Sequence, residues 1–500
     1  MAENLERHHR TALLLTTLAN LSVSEAAGVL DGLRFGIAID DDAARTPAGQ
    51  AAALTAASVL GRLGGAVYLE VPAVSLVLRG TPWDGQVLDE ACATIVQWAG
   101  GRLSQKSGVA RLAVGLPPAS SAIAVGGGDW IAEVDGPRSL MEGNHPLGAM
   151  AAVHLGAGRL FHLALGAALN LPTIRRDPAK MSLLTYGLSA SARTSPSRIK
   201  AAHSVALVGA GAVGQAVAWS AVVGQVRLAD RVDIIDPQIL DVPNLNRHVC
   251  SGREDVGRFK AEIVSGFFAT SGVEAVPFRL RIGEYLADRG VLPIAISTVD
   301  NNEARYELQG TFPSLIFHGA TSQEHLSAAA LDPTNGACLG CLFPRRSVSS
   351  GQAISDETGI PVHLVEDALG PAGVMTREML EPIAFRMGLP AEALHHLANR
   401  NFREVYATEI CGRLTAPGIE PTAAPTVAYA SGLAGLLLTA EMAKNSTPLL
   451  RQWRLRNYVQ LSALNPESAW VASREKDLDC PLMCSSPALQ SYLARRSRTT

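Results

Sequence analysis

The stretch SVALVGAGAVGQAVAWSAV, residues 204–222, decides the fold of the second half of the chain. An apolar run stands directly before Gly209, Gly211 and Gly214, and helix-forming residues follow. Where a strand turns into a helix, such glycines allow a tight turn, close approach of the backbone to phosphate, and close helix–strand packing. The N–H groups that begin the helix then face an anion. The stretch predicts a nucleotide-binding α/β unit.

The next apolar strand outward from this turn, RVDIIDP (231–237), ends at Asp236. An acidic side chain at this place can accept hydrogen bonds from ribose hydroxyls. To this point a nicotinamide dinucleotide and ATP fit the pattern equally well.

Three further segments distinguish the two nucleotides by supplying an amide, three cations and a strand-end carboxylate. They are DVPNLNRH (241–248) with Asn244 and Arg247, GRFKAE (257–262) with Lys260, and ISTVDNNEAR (296–305) with Asp300 and Arg305. Arg and Lys neutralise phosphate oxygens, and a carboxylate beside phosphates suits Mg²⁺. Hydride transfer needs none of these groups, so the ordered set favours MgATP over a nicotinamide dehydrogenase.

The rest of the chain predicts a second α/β unit that precedes this one. LRFGIAID (33–40), AVYLEVP (66–72) and ARLAVGL (110–116) are typical of buried strands, with helices predicted over 46–63, 88–100 and 145–166. MSLLTYGL (181–188) is a further candidate strand. The closing helices of the two halves, 145–166 and 424–444, share a Pro followed by closely spaced Gly and Ala. We therefore expect one α/β unit used twice, with no Gly-rich turn in the first copy.

Composition excludes several classes of protein. With 47% hydrophobic and 18% charged residues the chain can build a large core, and a net charge of −3 gives no sign of a nucleic-acid partner. The N-terminus lacks the pattern of a signal peptide. The apolar segment 426–443 contains Ser431 and Glu441 and is shorter than a membrane span, so we expect a buried helix, no membrane partner and a cytoplasmic protein.

Four of the seven cysteines fall into two close pairs. Cys338 and Cys341 form a C-x2-C, and Cys480 and Cys484 form a C-x3-C. Four thiolates in two pairs suit tetrahedral Zn²⁺ with no open position, which is a structural site. The alternative is that the second pair is incidental.

The motifs GAGAVG, IIDPQILDVPNLNR, GRFKAE and STVDNNEAR, in this order, resemble the adenylation domain shared by ubiquitin-activating enzymes and the bacterial enzymes that adenylate sulfur-carrier proteins (the ThiF and MoeB family). The resemblance covers about residues 200–345 and 424–484, and the C-x2-C resembles the zinc knuckle of that family. It implies two Rossmann-like adenylation units in tandem, with a cysteine-bearing insert. The implied parts are an inactive half (1–170), a connection (171–200), an active ATP-binding domain (201–344 and 424–484), a crossover insert (345–423) and a tail (485–500).

Carried over residue by residue, the resemblance implies a complete ATP site. The residues that would bind the nucleotide are Gly209, Gly211, Gly214, Asp236, Asn244, Arg247, Lys260 and Asp300, of which Asp300 would hold Mg²⁺. Gln238 and Ser297 stand where the family often has acids. An arginine lent by the first half would be Arg7 or Arg10.

Cys411, in REVYATEICGRL, occupies the place of the thioester-forming cysteine in relatives that have one. Arg403 and Arg413 would lower its pKa and Glu404 and Glu409 would oppose them. The alternative for an isolated cysteine is a small buried hydrophobic residue, which we expect for Cys92 and Cys250.

The resulting hypothesis is an activating enzyme for a ubiquitin-like protein. It would adenylate the partner's free C-terminal carboxylate, form a thioester on Cys411 and pass the partner to a conjugating enzyme, working as a monomeric pseudo-dimer or a homodimer. In layout the chain resembles bacterial activating enzymes implicated in phage defence. The alternatives are a sulfur-carrier adenylyltransferase of thiamin or molybdopterin synthesis, a dehydrogenase, and a non-enzymatic scaffold.

Overall fold

The computed structural model of the chain describes most of its residues. The described ranges are 8, 11–12, 15, 21–106, 110–119, 122–136, 145–170, 176–187, 202–290, 292–322, 325–344, 350–370, 373–387, 390–406, 410, 427–455 and 457–496. They form two compact units, one within Met1–Pro344 and Thr426–Thr500 and the other within Arg345–Pro425. Both predicted α/β halves lie in the first unit, so the boundaries drawn between them from the sequence remain predictions.

The first half contains a seven-stranded sheet. Its strands are β1 (Arg34–Ile39), β2 (Ala66–Glu70), β3 (Arg102–Leu103), β4 (Ala110–Val114), β5 (Ala122–Gly128), β6 (Ile131–Val134) and β7 (Ala179–Ser182). They lie in the order β3-β2-β1-β4-β5-β6-β7. The strands from β3 to β5 are parallel, and β6 and β7 are added antiparallel.

The second half contains an eight-stranded sheet. Its strands are β8 (Ala202–Val208), β9 (Ala229–Ile235), β10 (Glu274–Phe278), β11 (Ile294–Ser297), β12 (Leu315–Ser322), β13 (His325–Leu331), β14 (Tyr458–Ser462) and β15 (Trp470–Ala472). The order is β10-β9-β8-β11-β12-β13-β14-β15, parallel as far as β12 and antiparallel beyond it. Apart from the extra edge strand β15, the order repeats that of the first sheet, which confirms the prediction of two α/β units in tandem.

The helices that connect the strands cover both sheets. In the first compact unit the described α-helices are Val23–Gly32, Pro47–Leu63, Leu88–Trp98, Leu147–Leu169, Ala212–Val222, Lys260–Ala269, Ile282–Arg289, Asn302–Gly310, Leu339–Leu342, Ala428–Ser446 and Pro487–Arg496. Leu147–Leu169 is the one described helix whose length and composition would suffice to cross a membrane, but 67% of its apolar window is buried inside the fold. The helix Ala428–Ser446 is buried from Ala428 to Lys444, as the sequence predicts.

The predicted strand at 181–188 is largely wrong. Strand β7 begins earlier and ends at Ser182, and Tyr186 adopts a left-handed backbone conformation with φ of 59°. This turn directs the Tyr186 side chain inward, where its hydroxyl donates a hydrogen bond to Glu441. A buried polar contact therefore outweighs the strand preference of the apolar residues.

Aromatic side chains join the two halves. Trp83 packs on Trp98, Trp219 and Phe267, with ring centroids 5.5 to 6.3 Å apart. Trp219 also donates from Nε1 to Thr55 Oγ1 across the halves at 3.1 Å. One continuous apolar core extends through both sheets.

The second compact unit is helical in its described parts. Its α-helices are Ser350–Thr358, Val362–Ala368, Arg377–Met387 and Phe402–Val405, and Ala391–Leu397 is a 3-10 helix. They enclose a small apolar core of their own, which includes Val365, Leu380, Ile383 and Phe402. Cys411 lies outside the described residues.

A charged pair is enclosed completely by the first unit. Lys444 and Glu441 lie one turn apart on the same helix, form a salt bridge, and are both 0% exposed. Lys444 Nζ also donates to the carbonyl oxygens of Leu183 and Leu184 at 3.0 and 3.2 Å, and Glu441 Oε2 accepts from the backbone N–H of Leu455 at 2.9 Å. The pair thus fastens the turn after β7 and the segment before β14 to the closing helix.

We expect Lys444→Met to lower the melting temperature strongly, corresponding to a loss of about 3 kcal/mol or more, because it leaves the Glu441 carboxylate buried without a cation. Lys180→Met is the matched control, since the Lys180–Glu133 pair is partly exposed and such pairs contribute about 0–1 kcal/mol. Thermal unfolding followed by circular dichroism measures both. Equal shifts in the two variants would show that the enclosed pair has no special weight.

Candidate functional site

The glycine turn joins β8 to the helix Ala212–Val222 as the sequence predicts. Each of its three glycines has a different backbone or steric environment. Gly209 has a left-handed φ of 94°. A Cβ at Gly214 would lie 2.1 Å from the carbonyl oxygen of Gly209, whereas a Cβ at Gly211 would meet nothing within 4 Å. Gly211 therefore faces open space at the start of the helix, where its amide neighbours can approach an anion.

Thr298, directly after β11, holds this turn in place. Its Oγ1 donates to the Gly209 carbonyl at 2.7 Å, and its backbone N–H donates to the Val208 carbonyl at 2.9 Å. The sequence analysis did not single out Thr298. The signal available was its position after a strand in the same segment as Asp300.

Asp236 follows the end of β9 and is 6% exposed. Its carboxylate accepts hydrogen bonds from the backbone N–H groups of Ala210 and Gln238 at 2.7 and 2.8 Å. Burial raises the pKa of Asp236, while these two hydrogen bonds and the Lys260 ammonium act in the opposite direction. Asp236 therefore braces the glycine turn. Its contact with a ribose remains a prediction.

Lys260 is a nearly buried cation at the first position of the helix Lys260–Ala269. Its Nζ donates to Gln238 Oε1 at 2.7 Å. Burial lowers the pKa of Lys260, and the carboxylates of Asp236 and Asp300 raise it. Gln238 thus supplies a neutral hydrogen-bond acceptor to Lys260, and the nearby carboxylates act on the ammonium through their charge.

Asn244 and Arg247 lie on the loop between β9 and this helix. Asn244 ends the short 3-10 helix Val242–Asn244, and its Oδ1 accepts from the backbone N–H of Asp241 at 3.2 Å. Arg247 donates from Nη1 to the Pro243 carbonyl and to Asn246 Oδ1 at 2.9 and 3.0 Å. The positive charge of Arg247 further lowers the pKa of Lys260, so both cations act on the same small volume.

Asp300 is exposed just beyond β11, and Arg305 turns away from the solvent. Asn301 caps the helix Asn302–Gly310 by accepting from the Ala304 N–H at 2.9 Å. The Arg305 guanidinium lies 4.0 Å from the ring centroid of Phe343 and donates to Asn302 Oδ1 at 2.8 Å. Because Arg305 is engaged in this packing, Asp300 and not Arg305 is presented to the site.

Ser297, the last residue of β11, and His318, in the middle of β12, form a buried polar pair. Ser297 Oγ and His318 Nδ1 are 3.1 Å apart, and burial lowers the pKa of His318 to about 3. The imidazole is therefore neutral. The chain therefore has an uncharged pair at positions 297 and 318, and Asp300, beyond the end of β11, is an exposed carboxylate at this edge.

The predicted site residues that are described come together at the carboxyl edge of the parallel strands in the second sheet. These residues are Gly209, Gly211, Gly214, Asp236, Asn244, Arg247, Lys260 and Asp300. Cys411, Arg7 and Arg10 lie outside the described residues. The corresponding turn of the first half follows β1 and contains Asp40, Asp41 and Asp42 in place of glycines, and Asp40 Oδ2 accepts from the N–H groups of Asp42 and Ala43. This acidic turn would repel phosphate.

The four cysteines of the two close pairs meet in one cluster. Their Sγ atoms all lie within 4.8 Å of one another, with contacts of 3.7 Å (Cys338 to Cys341), 3.5 Å (Cys338 to Cys480) and 3.3 Å (Cys341 to Cys484). Tetrahedral coordination with Zn–S bonds of about 2.3 Å needs sulfur atoms roughly 3.8 Å apart. The donor set and its spacing therefore fit a closed four-thiolate metal site.

The cysteine cluster is attached to the helix that follows Asp300. Gln309 Oε1 accepts from the Leu339 N–H at 2.9 Å, and the Tyr306 hydroxyl donates to the carbonyl oxygen of Phe343. Together with the stacking of Arg305 on Phe343, these contacts fix the helix Asn302–Gly310 against the knuckle.

Several known proteins are similar to this chain. An uncharacterised protein of Sinorhizobium fredii, y4jF, is 26% identical over 447 residues, which cover 86% of this chain and 85% of its own. The NEDD8-activating enzyme E1 catalytic subunit of Dictyostelium discoideum is 23% identical over 287 residues, or 52% of this chain and 64% of that one. The SAMP-activating enzyme E1 of Haloferax volcanii is 31% identical over 151 residues, or 28% of this chain and 53% of that one. The similar region spans less than two thirds of either activating enzyme.

Two family profiles divide the chain between them. The BilD N-terminal domain matches residues 34–179, and the ThiF family matches residues 188–482, which is more than half of the chain. The second range includes the glycine turn, both cations and Asp300. The chain therefore belongs to the ThiF family of ATP-dependent adenylating enzymes, the family that its motifs resemble.

Proposed function

We propose that the protein activates a ubiquitin-like protein by adenylating its C-terminal carboxylate. The observation that carries this proposal is the nearly buried Lys260, which lies beside Asp236 and Asp300 and close to the glycine turn. A nearly buried cation that donates to a neutral acceptor is suited to the phosphates of a nucleotide.

The reaction joins the partner's carboxylate to AMP. A carboxylate oxygen attacks the α-phosphorus, the bond from that phosphorus to the bridging oxygen breaks, and pyrophosphate leaves with the bond's electron pair. Lys260 and Arg247 would stabilise the charge that develops on the phosphate oxygens, and the N–H groups at the glycine turn would orient them. Asp300 would hold Mg²⁺, which neutralises phosphate charge when bound.

Cys411 would carry out the second step. Its thiolate attacks the carbonyl carbon of the acyl-adenylate, a C–S bond forms, and AMP leaves with the bridging oxygen. The thioester would then be passed to the thiol of a conjugating enzyme. The similarity to NEDD8-activating and SAMP-activating enzymes supports a ubiquitin-like partner, and the position of Cys411 in the motif resemblance supports the thioester.

The first half would act as the inactive member of a pseudo-dimer. Its sheet repeats the strand order of the second, and the acidic turn at Asp40–Asp42 is unsuited to phosphate. The match to the BilD N-terminal domain supports a dedicated role for this half. We place the protein in the cytoplasm, where ATP is available and thiols stay reduced. On the grounds of its layout we also place it in bacterial antiviral defence.

Zinc is the metal we propose for the cysteine cluster. Four thiolates at this spacing leave no open position for a substrate, so the metal would be structural and would tie the C-terminal segment to the chain around Cys338.

Asp300→Asn should reduce partner-dependent ATP–pyrophosphate exchange by about 100-fold or more, because the site loses the carboxylate that would hold Mg²⁺. Asp230→Asn is the matched control. Asp230 lies near the start of β9, at the edge of the sheet away from the site, and its variant should leave the exchange unchanged. A radiolabelled pyrophosphate exchange assay with a candidate ubiquitin-like protein tests both. Exchange at the normal rate in the Asp300 variant would remove this residue from the site.

Cys411→Ala should keep the exchange activity and lose a thiol-sensitive adduct between the enzyme and its partner, because adenylation does not need the thiol. Cys92→Ala is the matched control, since burial holds the Cys92 thiol protonated by raising its pKa. Intact-mass spectrometry with and without a reducing thiol detects the adduct. A wild-type enzyme that exchanges pyrophosphate but forms no adduct would favour the sulfur-carrier alternative.

Cys480→Ser should reduce the bound zinc from about one ion per chain to a small fraction and should lower the melting temperature, because three thiolates bind structural zinc less firmly than four. Cys92→Ser should retain the metal. Elemental analysis by mass spectrometry, combined with thermal unfolding, makes the comparison. The assignment would be contradicted if the purified wild-type protein contained no zinc and a chelator did not change its melting temperature.

A further inference from the structure

Arg62 is a completely buried arginine of the first half that reaches into the second. It lies near the end of the helix Pro47–Leu63 and is 0% exposed. Its Nη1 donates to the carbonyl oxygen of Leu245 at 2.7 Å, and its Nη2 donates to that of Ser251 at 2.9 Å. A cation in the core needs such partners, and hydrogen bonds from a charged donor are stronger than neutral ones.

The segment that Arg62 binds, residues 245–251, carries Arg247. We call it the cation loop. Its two ends at Leu245 and Ser251 are held by the same guanidinium, whose fixed planar fork sets the distance between the two carbonyl groups. The loop is therefore closed by a residue from the other half of the chain.

The cation loop is also held from its own half, by Gln215 on the helix that follows the glycine turn. Gln215 Nε2 and His248 Nδ1 are 3.1 Å apart, and Gln215 Oε1 accepts from the Cys250 N–H at 3.0 Å and from Ser251 Oγ at 2.8 Å. Burial, together with the charges of Arg247, Lys260 and Arg62, lowers the pKa of His248, so its neutral Nδ1 can accept from Gln215. The loop is clamped between the two halves.

Trp98 of the first half completes the wall behind the loop. The Arg62 guanidinium lies 5.5 Å from the centroid of the Trp98 ring. A Cβ at Gly252, the residue after the loop, would lie 2.1 Å from the same ring. The cation loop thus lies directly against the first half, and only glycine fits at position 252.

We propose that Arg62 is a positioning residue of the nucleotide site. By fixing both ends of the cation loop, it sets where Arg247 and the adjacent Asn244 stand relative to Lys260, and the first half thereby determines how well the second binds MgATP. This inference rests on the proposed function for the identity of the ligand, but the contacts that hold the loop are independent of it.

Arg62→Met tests the proposal, because it removes both donors and keeps an unbranched side chain against Trp98. We expect the Kd for MgATP, measured by isothermal titration calorimetry, to rise about tenfold, the loss typical of one charge-assisted hydrogen bond. Hydrogen–deuterium exchange in peptides spanning 244–251 should become faster. Arg62→Lys, which can reach one carbonyl, should fall between Arg62→Met and the wild type in both measurements, and it remains informative if Arg62→Met does not fold.

Arg159→Met is the matched control for loss of a buried arginine. Arg159 is 4% exposed and donates to the carbonyl oxygens of Asp177 and Leu464 at 2.8 and 3.4 Å, so it also joins the halves but does not touch the cation loop. We expect a lower melting temperature with an unchanged Kd and unchanged exchange at 244–251. If Arg62 had a merely structural role, its own variants would likewise show a lower melting temperature with an unchanged Kd and unchanged hydrogen–deuterium exchange.

Wild-type affinity for MgATP in folded Arg62→Met, or in Arg62→Lys if Arg62→Met does not fold, overturns the proposal. If the wild-type protein binds no MgATP, the proposed function is wrong. The hydrogen–deuterium exchange data then decide by themselves whether Arg62 holds the cation loop. Hydrogen–deuterium exchange at 244–251 that is as slow in the Arg62 variants as in the wild type would show that Arg62 does not hold the cation loop.

Discussion

The helix Ala428–Ser446 is buried along nearly its whole length because glycines let neighbouring elements touch its backbone. A Cβ at Gly435 would lie 2.5 Å from Ala216 of the helix after the glycine turn, and one at Gly432 would lie 2.1 Å from His154 of the first half. Close contact on two sides makes this helix the common support of both sheets. The helix after the glycine turn and the helix Leu147–Leu169 of the first half are both packed on this one element.

Charge at the nucleotide site is arranged by burial more than by ion pairing. Lys260 faces a neutral acceptor, Gln238, and the polar pair Ser297 and His318 on the neighbouring strands β11 and β12 is uncharged. Asp236 is nearly buried and has both carboxylate oxygens bonded to backbone N–H groups. Lys260 lies in a low-dielectric setting, in which its attraction for an incoming phosphate chain is strong, and the carboxylates of Asp236 and Asp300 favour its charged form.

Local patterns in the sequence predicted the parts of the fold and of the site that short segments specify. The turn at Gly209–Gly214 and the acid after β9 follow from an apolar run that meets a fixed spacing of special residues. Strands β5 and β6 were missed because the glycines at 126–128 resemble a turn, although in the structure they pair antiparallel with β6. Thr298 and Arg62 were missed for a different reason: each donates hydrogen bonds to carbonyl groups that are distant in sequence, and a single Thr or Arg has no periodicity that reveals such partners.

Because the two sheets belong to one polypeptide, they always occur together in equal number and at a fixed effective concentration. A symmetric assembly of identical subunits would repeat every substitution in both copies, so neither copy could lose its phosphate turn without the other doing so. Covalent fusion removes this restriction. The acidic turn at Asp40–Asp42 and the glycine turn at Gly209–Gly214 occupy corresponding places in the two sheets, and in a fused chain each of them can change without the other.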